Sequence, residues 1–253
     1  MLPSVLYQIT DGAVTEQCMR TACMLAFMPS KWYRRSMSIY RIYQSERREI
    51  MYNIVNIERQ FACGGNEIAR KLAAELGYRY HGHDILEEAV NELGISYSFV
   101  SAIESTDPES DIFNIHRTPL NDGGLEEKDY PIEIRLFNKV QELIKKYTAE
   151  GKCVFVGRAA SFILKDTDGC LNAYIYADED YRLQRAMSVE GIDSQKAAAS
   201  LIKNDRRRSN FYNANTHRQW GDKKNYSIML NSGILGTEEC VRIISEIVRG
   251  SRQ

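Results

Sequence analysis

Residues 54–73 read IVNIERQFACGGNEIARKLA, and the order of elements in this stretch decides the fold class. Ile54-Val55-Asn56-Ile57 has the character of a short buried strand, and Glu58–Gly65 follows as a glycine-containing loop. Ile68, Leu72 and Leu76 then recur on one helical face with Ala69 and Ala73 beside them, and Gly77 supplies a stop. Strand, loop and helix in this order let backbone N–H groups at a helix N-terminus surround an anion. Gly64 and Gly65 permit that approach because they carry no side chain. The loop departs from the standard phosphate-loop pattern, G-x-x-x-x-G-K followed by Ser or Thr. With Gly64 as the second glycine, Arg59 stands where the first belongs and Gly65 where the lysine belongs, with Asn66 and Glu67 following. On spacing alone, a plain strand–turn–helix corner accounts for the segment as well as a nucleotide site does.

The alternation continues outward from this stretch. Ile85, Leu86, Ala89, Val90 and Leu93 pattern as a second helix, and Leu136, Phe137, Val140, Leu143, Ile144 and Tyr147 as a longer one. Cys153–Val156, Leu171–Ala177 and Tyr226–Asn231 read as strands, and Thr237 is expected to cap a last helix with Glu238 and Glu239 in its first turn. Strands that are apolar throughout and separated by helices predict an α/β fold with a parallel sheet covered on both faces.

Charge divides the chain further. Residues 104–133 hold nine Asp/Glu and two Lys/Arg, with Pro108, Pro119, Pro131 and Gly123-Gly124, and read as a solvated acidic insertion. Residues 203–224 hold seven Lys/Arg and two Asp/Glu. Residues 1–50 lack a clean period and carry Arg34, Arg35, Arg41, Arg47 and Arg48. They read as a poorly ordered extension, or as translation started too early with Met51 the natural beginning, rather than as a basic arm that binds a partner. The domain proper is expected over 51–250.

A formal net charge of -1 argues against a surface built wholly for nucleic acid or anionic membrane. Phe211, Tyr212 and Trp220 within the basic interval offer stacking partners for bases, but the overall charge and the acidic insertion weigh against that use. No apolar stretch approaches the roughly 20 residues of a membrane span. The six cysteines, Cys18, Cys23, Cys63, Cys153, Cys170 and Cys240, form no CxxC pair and find no histidine at zinc-finger spacing. Reduced cysteines in a cytoplasmic protein are expected, with Cys153 and Cys240 as small core residues and no metal ligand assigned.

The segment around the loop resembles the cytidylate kinase-like family, a branch of the P-loop nucleoside-monophosphate kinases whose loop runs near SRQYGSGGREIA. Arg59, Gln60, Gly64, Gly65, Glu67, Ile68 and Ala69 match that form, whereas Ala62 and Cys63 replace its Gly-Ser and Asn66 a frequently basic residue. The match continues through Lys71-Leu72-Ala73 and Leu76-Gly77, Val156-Gly157-Arg158, Ala177-Asp178-Glu179 with Arg182, and Asp205–Arg208. It is completed by Tyr212, Thr216, Trp220-Gly221-Asp222, and Asn225-Tyr226 through Asn231-Ser232. The resemblance implies a P-loop three-layer fold with a helical lid, and transfer of the γ-phosphoryl group of Mg-ATP to CMP or a related small acceptor. Nucleotide contacts would fall to Arg59, Gln60, Cys63, Gly64, Gly65, Asn66 and Glu67. Arg158 would hold the acceptor. Asp205–Arg208, delivered at the end of a helix through Ser194, Ala197, Ala198, Leu201 and Ile202, would begin the lid. There Arg206, Arg207 and Arg208 would contact phosphate or substrate, and Asp205 would orient an arginine or a base edge. The family's acceptor-side run near YYDKELIEEA has Gly82 at its aspartate position, with His83 and Asp84 close by. The absent lysine and Ser/Thr leave a second reading open, a nucleotide-binding module with a regulatory or scaffold role.

Overall fold

A computed structural model describes residues 52–96 and 130–250, so the extension over 1–50 and the acidic insertion as far as 129 lie outside the described residues. Five strands form one parallel sheet in the order β2-β3-β1-β4-β5. They are β1 (Ile54–Arg59), β2 (Arg79–His81), β3 (Cys153–Val156), β4 (Cys170–Tyr176) and β5 (Ile228–Asn231). The helices are α1 (Gly65–Leu76), α2 (Asp84–Glu92), α3 (Ile132–Glu150), α4 (Ala160–Ile163), α5 (Glu179–Ser188), α6 (Ser194–Thr216), α7 (Ser232–Leu235) and α8 (Thr237–Arg249). β1 occupies the centre, with Ile54 opposite Cys153 on one side and Cys170 on the other.

The two-residue period of a strand sorts β1 between two cores. Val55 and Ile57 pack with Ile68 and Leu72 of α1 and Val241 and Ile244 of α8. Ile54 turns the other way, onto Ile85 of α2 and Leu143 and Ile144 of α3. Both faces are thus covered, as an all-parallel sheet requires. Asn56 and Glu58 are the buried polar residues of this strand, and Asn56 is bonded within the sheet. Its amide donates to Asn172 Oδ1 at 2.8 Å on the neighbouring β4, which offsets the cost of burying it. Cys153 and Cys240 are fully buried among apolar neighbours, as expected, and the four described cysteines are unpaired.

The expected strand over 171–177 is found at Cys170–Tyr176, and the last begins at Ile228 rather than Tyr226. β2 is absent from the sequence reading because its three residues, Arg79-Tyr80-His81, are polar and too short to show a period; pairing with β3 makes it a strand. Three expectations are corrected. Asp205–Arg208 do not end a helix, because nothing after them breaks it and α6 continues to Thr216 before His217 turns left-handed. Gly236, not Thr237, is the N-cap of α8, and the Thr237 hydroxyl instead donates to Glu67 at 3.4 Å. The acidic insertion, predicted to reach 133, is cut short by α3, which starts at Ile132 behind Pro131.

Ile57 is wholly buried at the sheet centre, whereas Ile202 on α6 is 70% exposed. Ile57→Ala is expected to lose about 2–5 kcal/mol in urea unfolding, and Ile202→Ala less than about 0.5 kcal/mol.

Candidate active site

The chain leaves β1 at Arg59 and reaches α1 through a loop that turns tightly at Ala62 (φ +58°) and Gly64 (φ +82°). Gly64 is the N-cap of α1 and offers no side-chain cap, so the first turn of the helix presents its N–H groups toward the loop. Gly65 is required by packing: a Cβ there would lie 2.5 Å from Arg59 Cβ. The loop's back is anchored to β4. Gln60 takes its N–H to Ile175 O at 3.0 Å and its side-chain oxygen to the Ala177 N–H at 3.2 Å. Cys63 is buried with its thiol donating to Gln60 O and Ile175 O, and burial raises its pKa. Gln60 and Cys63 therefore shape the loop from inside, with side chains turned away from its mouth.

α6 grips the strand end of this loop. The Asp205 carboxylate accepts the Phe61 N–H at 2.6 Å and pairs with Arg182 of α5 at 2.5 Å. One helical turn on, Arg208 donates to the Arg59 carbonyl at 2.9 Å and lies over the Phe61 ring. Positions three apart on a helix share a face, so Asp205 and Arg208 act on the loop together. Arg207 lines the cleft beside them, but Arg206 is exposed and does not. Glu67 also faces away from the cleft. It binds Lys71, Arg185 and Thr237, and the Lys71 hydrogen bond above all holds its carboxyl below the usual range.

Between the loop, β2, the end of β3 and α6 lies a cleft of about 330 Å³. Gly157, Arg158 and Ala159 are three consecutive residues with left-handed φ of +71°, +58° and +55°. For two non-glycine residues this is strained backbone, of the kind that persists where a site holds it. It carries Arg158 onto the cleft wall, where its guanidinium lies 3.3 Å from His83 Nδ1. Asp84 does not replace the missing aspartate at Gly82. Its carboxylate accepts the Gly82 N–H at 2.5 Å and pairs with His81 at 3.0 Å, so it fixes the shape of the β2–α2 corner. Burial alone would lower the His81 pKa, but the Asp84 contact outweighs it and lifts the group to about 9.

The electrostatics of the cleft are lopsided. Among the described residues, Arg59, Arg70, Arg158, Arg207 and Arg208 line it, against the one carboxylate of Glu58. Arg59 packs on Gly157, where a Cβ would come within 2.4 Å of the guanidinium, and its Nε donates to Asn66 Oδ1 at 3.0 Å. Burial first, and then repulsion from Arg208, press its pKa down to about 9. Burial likewise lowers that of Arg208. Cations that raise each other's free energy are stabilised by an anion entering between them. The residues present thus fit a phosphate chain.

Sequence reasoning found Arg59, Asn66, Arg158, Asp205 and Arg208, which the fold brings to one place. It missed Glu58, which is 4% exposed and lines the cleft, and it named Arg182 and an arginine for Asp205 to orient without joining the two. A charged residue ending an apolar strand was the available signal for Glu58. No local pattern pointed to the Arg182 pairing across 23 residues.

The strand order, with the phosphate loop between central β1 and α1, is a P-loop kinase-like α/β fold. A comparison with curated proteins gives no match. Among solved structures, the chain is similar to an uncharacterized protein from Eubacterium ventriosum ATCC 27560. There the TM-score is 0.58 at 23% identity, covering 79% of this chain and 99% of that one. A shikimate kinase from Bacteroides thetaiotaomicron matches at TM-score 0.46 and 9% identity over 78% of this chain and 98% of its own. A dephospho-CoA kinase from Campylobacter jejuni matches at 0.38 and 16% over 79% and 99%. Residues 54–234 match the model of the cytidylate kinase-like family, and the chain belongs to that family.

Proposed function

We propose that this chain is an ATP-dependent phosphotransferase that moves the γ-phosphoryl group to a small anionic acceptor, CMP or a related molecule. The observation that carries this reading is the group of arginines lining the cleft beside the phosphate loop, Arg59, Arg158, Arg207 and Arg208, with Arg208 held on the Arg59 carbonyl at 2.9 Å. Phosphoryl transfer is chiefly a matter of positioning and of stabilising charge on the transferring group, and several fixed cations around one cleft supply both. The helix N-terminus at Gly64, Gly65, Asn66 and Glu67 would receive the nucleotide phosphates through backbone N–H groups. Arg59 and Arg208 would take the charge that the loop's missing lysine leaves unmet. Arg158 would hold the acceptor's anionic group, because a guanidinium can make a paired contact. Among the described residues no three His, Cys, Asp or Glu side chains cluster to cage a metal, and Asn66 gives its amide oxygen to Arg59. Magnesium would therefore enter on the nucleotide phosphates with its waters, which is its ordinary habit in such sites.

Asp205 has a positioning role in this reading, since it fixes the Phe61 amide and Arg182 at once. Arg206, exposed on the far side of α6, has no place in it.

Three outcomes are expected. Incubation of the full chain with Mg-ATP and a panel of nucleoside monophosphates, followed by chromatography, yields ADP and a phosphorylated acceptor. Arg158→Ala lowers kcat/KM for the acceptor by about 100-fold, the loss of a charge-assisted contact of about 2.7 kcal/mol, with ATP KM little changed. An unchanged acceptor KM and kcat in that variant would remove Arg158 from the acceptor site. Asp205→Ala, which strands a part-buried Arg182, loses about 2–3 kcal/mol in urea unfolding and raises the KM for ATP.

A further inference from the structure

Glu58 remains unexplained by anion binding. Strand alternation sets it on the same face of β1 as Ile54 and Asn56, and at the strand's end that face opens into the cleft. Its carboxylate accepts one hydrogen bond, from Trp220 Nε1 at 3.4 Å, and makes no ion pair among the described residues. The adjacent Arg59 turns away to Asn66. A carboxylate at the floor of a cleft lined by arginines weakens anion binding, and without an ion pair it is not there to neutralise a particular guanidinium. Its position on the cleft floor gives it a different use.

We infer that Glu58 is the proton acceptor of the phosphoryl transfer proposed above, and that the atom phosphorylated is a hydroxyl oxygen of a small anion. The inference rests on the phosphotransferase reading and narrows its substrate class. A phosphate oxygen at neutral pH carries no proton that must leave before it attacks, whereas an alcohol does. In the step, the acceptor oxygen forms a bond to the γ-phosphorus as the bond from that phosphorus to the β–γ bridging oxygen breaks and ADP leaves. The acceptor's hydroxyl proton passes to a Glu58 oxygen and then to solvent. Arg158 and Arg207 would hold the acceptor's anionic end, which directs its hydroxyl to the floor. The sequence fits this exchange of parts. Glu58 stands where the family's loop form carries serine, and Gly82 where its acceptor-side form carries aspartate.

The surroundings tune the group in both directions. Burial raises its pKa, while Arg59, the Trp220 hydrogen bond, Arg208 and Arg158 pull it down, and the phenols of Tyr174, Tyr212 and Tyr226 are its other titratable neighbours. The carboxylate works as a base only when ionised, so the rate rises with pH through its pKa and levels above it.

The test uses the full chain, with Mg-ATP hydrolysis as a first arm, because water is a hydroxyl acceptor that needs no identification. Phosphorus NMR of products from CMP, glycerate and glycerol 3-phosphate is the second. Glu58→Gln keeps the shape and a Trp220 acceptor. It is expected to lower kcat by about 100-fold or more and to abolish the acidic limb of the pH profile, with the KM for ATP not raised. Trp220→Phe is expected to keep activity but move that limb to higher pH, which a purely structural role for Glu58 would not do. Products are expected as phosphate esters. An unchanged pH profile in Glu58→Gln, or a phosphoanhydride product formed equally by both proteins, overturns the inference and leaves the phosphotransferase reading standing. ATP bound but neither hydrolysed nor transferred overturns both.

Discussion

Two half-buried arginines, Arg59 and Arg208, joined where the Arg208 guanidinium donates to the Arg59 carbonyl, set the terms for the rest of the site. Arg59 ends the central strand and Arg208 reaches it from the middle of α6. Burial first, and then repulsion from Arg208, lowers the pKa of Arg59. Like charges held this close cost a fold some stability, and an anion placed between them would offset that cost. The loop lacks the lysine of the standard pattern, and Arg59 stands beside it at the end of the strand.

Other features follow from holding that pair in place. Asp205 and Arg208 bind α6 to the loop through Phe61 and Arg59, and Arg182 braces Asp205 from α5. Gln60 and Cys63 tie the loop's inner side to β4. Gly65 and Gly157 leave room for the Arg59 side chain above and below. The left-handed run from Gly157 to Ala159 then turns Arg158 toward the same space. Substrate-sized volume, positive potential and a strained wall occur together because the same few residues create all three.

Much of this was legible in the sequence because it depends on local pattern. The period of β1 and α1, the glycines at 64 and 65 and the apolar runs of β3 and β4 predict the sheet and its layers, and the collinear motifs carry the resemblance. What escaped was set by contacts across the fold. β2 is too short and polar to show itself without β3. The extent of α6 depended on the absence of a breaker after Arg208, which the basic run obscured. Arg206 and Arg207 look alike in the sequence, yet only the latter falls on the helix face that meets the cleft. Glu58 read as the start of a loop and is in fact strand.

A calorimetric titration of the full chain with ATP, with Arg59→Met measured alongside, tests the central claim most directly. Methionine keeps much of the stem's volume and removes the charge. The account predicts that the wild-type protein binds ATP, that the variant binds at least about tenfold more weakly, and that its melting temperature is maintained or raised. Equal affinity in the two proteins, or no binding by a folded wild-type chain, would contradict it.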